Sequence, residues 1–217
     1  MNTPALRALI QQAQSRIGAR EQLTQHIEQR RTQLHRSIRL DEGDADRLLG
    51  GFVSAYVEQV PELLEAADEV AREAGIEARL KPVLRLAQGF FLTQNGDAVA
   101  DDLIGLLDES YLAHRLIEEI NDRYITYLGQ PLIPLDTTLA NLIAHQLIGE
   151  ECANRLDAQV EDIVAGLLDE QAFSEPSVRE YRERLSNPRT LAAWKRWPCL
   201  SRQLGVDLQL NAQTIPG

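Results

Sequence analysis

Apolar residues recur at intervals of three and four along almost the whole chain. No run alternates apolar and polar positions in the Val-, Ile- and Thr-rich manner of a strand. This pattern predicts an all-α protein, an antiparallel bundle of about four long helices with shorter C-terminal helices, folded as a single domain over residues 1–217. A first helix over about Thr3–Leu40 carries a thin stripe (Leu6, Ile10, Ala13, Ile17, Leu23, Ile27, Leu34, Ile38) on a background of Gln and Arg. So narrow a stripe buries little by itself, so the helix must lie along others or along another chain.

A second helix is predicted over Ala45–Ala74, with Asp44 as its cap and Gly75 as its stop, kinked where Pro61 removes a backbone donor. A short helix follows at about Pro82–Leu92. A fourth runs from Ala98 to Leu128 after an Asp97 cap, and a fifth from Thr137 to Leu168 after an Asp136 cap. The short connection around Pro131 and Pro134 makes the last two an antiparallel hairpin. The bundle core therefore spans 44–170. Beyond it, 171–217 reads as short helices starting near Pro176 and Pro188 and a tail, with an apolar face of Trp194, Trp197, Leu200 and Leu204.

Polar residues interrupt two of these stripes. On a helical wheel at about 100° per residue, Ser110, His114 and Asn121 fall in line with Leu103, Leu107, Ile117 and Leu128, and Glu118 lies at the margin. Asp101, Asp108, Glu109, Glu119 and Arg123 point away. On the fifth helix His145 sits mid-stripe and Asn141 at its edge, whereas Glu150, Glu151, Asp157 and Glu161 point outward. Folding the hairpin about residues 131–132 sets His145 opposite Glu118 and His114 opposite Gly149. Ser110, His114, Glu118, Asn121, Asn141 and His145 thus form a candidate ligand-binding layer. Within it, His114, Glu118 and His145 are a partial metal set, two imidazoles and one carboxylate. Against this stands an internal network that satisfies its own members and fixes the helix register, since buried polar groups without partners are costly.

Composition adds little until it is read along the chain. The 217 residues carry a net charge of −11, yet seven arginines against two glutamates give residues 1–40 a charge of +5 and leave −16 for the remainder. Either the basic helix lies on an acidic body and is neutralised there, or it is an arm for an acidic partner or a second subunit. The acidic total and 5% aromatic content disfavour nucleic acid. Two cysteines, no membrane-length apolar run and no secretion signal in the first dozen residues predict a cytoplasmic chain.

Catalytic signatures are missing: no GxGxxG, Walker loop, GxSxG, HExxH or CxxC, and no cofactor is specified. A carboxylate-bridged di-iron bundle would need Glu three residues before each histidine, where this chain has Tyr111 and Leu142. The expected function is therefore protein contact or self-association, as a homo-oligomer or with a protein partner. Residues 1–40 and the Trp194/Trp197 face are the expected interfaces. A ligand or metal site in the His114/Glu118/His145 layer, with or without enzymatic activity, is the alternative.

Overall fold

A computed structural model describes residues 2–35, 45–73, 77–93, 98–129 and 137–168, with isolated positions 38, 131, 173, 176 and 183. Its regular elements are α1 (Thr3–Ser15), α2 (Ala19–Arg31), α3 (Ala45–Glu58), α4 (Val60–Glu73), α5 (Glu77–Phe91), α6 (Leu103–Leu128), α7 (Thr138–Ile148) and α8 (Glu150–Leu167). Among the described residues there is no strand, only an isolated bridge between Leu92 and Ala98, and the protein is all-α. No helix among them is long and apolar enough to cross a membrane. The expected caps Asp44, Asp97 and Asp136, the stop at Gly75 and the Trp194/Trp197 face lie outside the described residues.

The four long helices of the sequence reading become a larger number of shorter ones, and each break has a local cause. The first divides at Arg16–Gly18, where Gly18 turns the chain at φ 83 and Ile17 stands fully exposed instead of continuing the stripe. The second divides at Gln59, which places Pro61 in the first turn of α4, where its missing N–H costs nothing. The fifth divides at Gly149. Only α6 survives as one long helix. Its cap is Asp102, whose carboxylate accepts the amides of Ile104 and Gly105, and it stops at Gly129 in the left-handed conformation.

α6 is the post of the fold and touches every other helix. Its buried residues include Leu106, Tyr111, Leu116, Ile117, Ile120 and Tyr124, packed into one core with Phe52 and Tyr56 of α3 and Phe91 of α5. Phe173, beyond α8, stacks on Tyr127 and meets Tyr124 edge-on, which sets its ring against α6. The basic N-terminal segment is part of this core. Leu6, Ile10, Ala13, Leu23 and Ile27 are buried in it, and α1 and α2 lie against α3, α6 and, for α2, α7. Three of its arginines are neutralised on the acidic body: Arg7 by Glu65, Arg16 by Asp101 and Arg31 by Asp46, at 2.9, 2.7 and 3.2 Å.

α2 also clasps the α7–α8 junction. His26 donates from Nε2 to the Leu147 carbonyl at 2.9 Å, one of the last carbonyls of α7, which the helix cannot satisfy itself. The Arg30 guanidinium lies against Gly149, within 2.4 Å of where a Cβ would stand. A cation at that helix end also complements its dipole. His26 is thus an internal staple between α2 and α7.

Candidate functional site

Four helices build the polar layer. Ser110 and His114, one turn apart on α6, are fully buried, Asn121 and Asn141 are buried, and Glu118 and His145 are mostly covered. His114 turns toward α3. Its ring stacks on Tyr56 with centroids 4.2 Å apart, and its Nε2–H donates to the Tyr56 carbonyl at 3.0 Å. That bond fixes the tautomer and leaves Nδ1 as an acceptor, which has no partner among the described residues; neither has the Ser110 Oγ. Serine and histidine are therefore not joined as a nucleophile and its base would be.

A second chain of contacts runs through Glu118. The Tyr56 hydroxyl donates to Asn141 Oδ1 at 2.6 Å, and Asn141 Nδ2 donates to Glu118. Glu118 also takes the Arg115 guanidinium, and Arg115 Nε reaches Asp157 on α8 at 2.9 Å. Asp157 accepts the Tyr111 hydroxyl at 2.9 Å and stands 3.8 Å from His145 Nε2, which donates to Asn154. The sequence Tyr56–Asn141–Glu118–Arg115–Asp157–Tyr111 thus ties α3, α7, α6 and α8 into one network.

The structure does not bring His114, Glu118 and His145 together as a metal set. His114 is spent on α3, Glu118 on Asn141 and Arg115, and His145 on α8. No group of three or more His, Cys, Asp or Glu suited to a metal ion occurs among the described residues. Glu118 meets Asn141 instead of His145, a shift of four residues or one helical turn from the expected register. Asp157 points inward, contrary to the wheel. Gly149, expected opposite His114, has the Arg30 guanidinium of α2 beside it. Tyr56, Tyr111 and Arg115 were not singled out for the layer. The spacing of Arg115 and Glu118, three apart on one helix, was the available signal.

Electrostatics suit a network that holds its protons. Burial pushes the Tyr111 hydroxyl well above its ordinary range, with Asp157 adding to it, and burial does the same to Tyr56. Burial by itself would lower the Arg115 pKa, but its hydrogen bonds to Asp157 and Glu118 outweigh this and raise it. Burial lowers His114 from 6.5 to about 4, against the opposing pull of the Tyr56 carbonyl and Glu118. Glu109, expected in solvent, is half-buried and raised from 4.5 to about 7 by burial and then by Asp108.

These last two groups oppose each other. The His114 contribution to stability is present above pH 6.5 and is lost as pH falls through about 4, because only the unfolded chain takes up the proton readily. The Glu109 contribution is present below pH 4.5 and is lost as pH rises through about 7. Glu109→Gln should therefore steepen the rise of unfolding free energy between pH 4.5 and 6.5 in urea titrations; an unchanged slope would show that Glu109 is not held protonated.

Away from the layer, an open cleft of about 750 Å³ lies between α2 and α3. Arg20, Leu23 and Thr24 line it on one side, and Gly50, Gly51 and Ser54 on the other. Polar pairs bridge the helices on either side of this stretch, Arg31 with Asp46 and Gln14 of α1 with Glu58, the latter at 2.6 Å. Between them the α3 backbone is bare. A Cβ on Gly50 would touch Ile27 and Leu23 at ordinary contact distance, and one on Gly51 would meet nothing within 4 Å. Sequence reasoning passed over the Gly50–Gly51 pair inside a predicted helix. No protein-family model, curated protein or solved structure matches the chain.

Proposed function

We propose that the chain is a non-catalytic binding protein that works through contact with a protein partner, and that the α2–α3 cleft is where the partner seats. The observation that carries this is the bare floor of the cleft. Two adjacent glycines in a helix interior each cost about 1 kcal/mol relative to alanine, and at Gly51 no packing demands the loss. What the missing side chain provides is backbone within reach of a bound chain. The polar layer, in contrast, spends most of its hydrogen-bonding capacity on its own members.

Gly51→Leu tests this without threatening the fold. Its side chain enters open space, and stability should rise by about 0.5–1 kcal/mol from helix propensity. Proteins retained by the full-length chain in affinity capture should be lost by Gly51→Leu, and light scattering after size exclusion tells whether the partner is a second copy. Retention of the same proteins by a folded Gly51→Leu variant would remove the cleft from this role.

A small-ligand site in the layer remains the second proposal, favoured by the unpartnered Ser110 Oγ and His114 Nδ1, both on fully buried residues one turn apart. A ligand bridging them would protect His114 ring resonances in the purified protein. Its loss on dialysis should shift them, whereas unchanged spectra would leave the layer a structural network.

A further inference from the structure

Ser110 and His114 stand one turn apart on α6, so their side chains rise from the same face of the helix. Both residues are fully buried, and neither Ser110 Oγ nor His114 Nδ1 has a hydrogen-bond partner among the described residues. The two atoms do not bond each other, although a serine hydroxyl can donate to an imidazole lone pair. The far side of the ring fixes what each can take. Nε2–H is spent on the Tyr56 carbonyl at 3.0 Å, so Nδ1 offers a lone pair and nothing else. Burial lowers the His114 pKa to about 4, and the lone pair is therefore present throughout the neutral range. A group set against Nδ1 must donate a hydrogen bond, whereas one set against Ser110 can donate or accept.

We infer that Ser110 Oγ and His114 Nδ1 together bind one uncharged hydroxyl group, that of a water molecule or of a small alcohol. This rests on the second proposal above, that the pair is a site, and adds the chemistry of its occupant. A single oxygen answers both atoms: it accepts from the serine hydroxyl and donates its own proton to the imidazole lone pair. A carboxylate brings no proton and would meet that lone pair head-on. A charged ligand of either sign would leave water without gaining a counter-charge, since Glu118, the carboxylate whose charge reaches His114, is already held by Arg115 and Asn141. A metal ion would need further ligands, and the described residues contain no group of three His, Cys, Asp or Glu suited to one. One turn away on α6, Leu106, Leu107 and Ile117 are apolar and buried, so nothing there competes for the hydroxyl and the carbon chain of an alcohol is tolerated.

The test is magnetic resonance of the full-length protein with isotope-labelled histidine. The His114 Nδ1 resonance should lie at the position of a lone pair that accepts a hydrogen bond, and Ser110→Ala should move it toward the free position. Relaxation dispersion of the solvent oxygen counts long-lived internal waters, and mass spectrometry of the denatured protein detects an alcohol. Water is the occupant if Ser110→Ala loses one long-lived water and the parent spectrum survives dialysis unchanged. An alcohol is the occupant if dialysis shifts Nδ1 and the molecule is recovered. The first result ends the reading of an exchangeable ligand but keeps the hydroxyl site. A free Nδ1 lone pair in the parent would overturn the site itself, and that measurement does not depend on the variant folding. A bonded Nδ1 with no alcohol and no water lost in Ser110→Ala would also overturn it, because Ser110 would then reach His114 directly.

Discussion

Arg115→Ala is expected to lower the unfolding free energy by about 2–3 kcal/mol, read as a fall in the urea midpoint with an unchanged m-value. Among the described residues Arg115 is the cation that bridges Glu118 and Asp157, and its removal leaves both carboxylates without it, with less than a quarter of either side chain exposed. Breaking a fully buried pair costs about 3–5 kcal/mol, and the residual exposure of this triad scales that down. The cost belongs to the stranded acids and not to the loss of attraction. Arg115→Met combined with Glu118→Gln and Asp157→Asn should therefore recover most of the loss. If the triple variant is as unstable as Arg115→Ala, the guanidinium contributes by packing and hydrogen-bond geometry instead of by charge.

Gly149→Ala should cost about 2 kcal/mol. At φ 100 and ψ 140 the residue occupies backbone space that side chains rarely enter, with a strain of about 1–3 kcal/mol. The new Cβ would also drive the Arg30 guanidinium from the end of α7, where it complements the helix dipole. Because Arg30 is flexible and can swing away, strain is the larger share. In an Arg30→Ala background Gly149→Ala should thus keep most of its cost, and thermal melts of the four-member cycle measure the difference. A neutral Gly149→Ala would mean that the α7–α8 break does not depend on this glycine.

That break also explains how much of the layer could be read in advance. Ser110, His114 and Asn121 lie on one uninterrupted helix, so their wheel positions transferred directly into burial. The wheel for the fifth helix was carried through Gly149, where the chain turns out of helical conformation. Past that point Ala153, Val160 and Val164 are the buried positions, and Cys152 and Leu156 are only partly covered. Asp157, expected to point outward, lies there against Arg115. A glycine inside a periodic run is compatible with either continuation or a break, and the residues around Gly149 do not tell the two apart. Tyr56 escaped for a different reason. Its ring belongs to the buried face of α3, and nothing in a single helix tells where a tyrosine hydroxyl finds its acceptor. The cleft left no signal in periodicity, since the Gly50–Gly51 pair that opens it does not change the spacing of the apolar positions around it.

The bond from His26 to the Leu147 carbonyl joins positions 121 residues apart, and this sets an order of events during synthesis. At roughly 5–20 residues per second, on the order of ten seconds pass between the emergence of α2 and that of the helix end it caps. Until then Leu23 and Ile27 have only earlier helices to cover them, and α7 is completed only when its clasp is already waiting. A ribosome stalled before residue 147 thus holds a chain in which α2 can meet α1, α3 and α6 but lacks the bond that joins it to the end of α7.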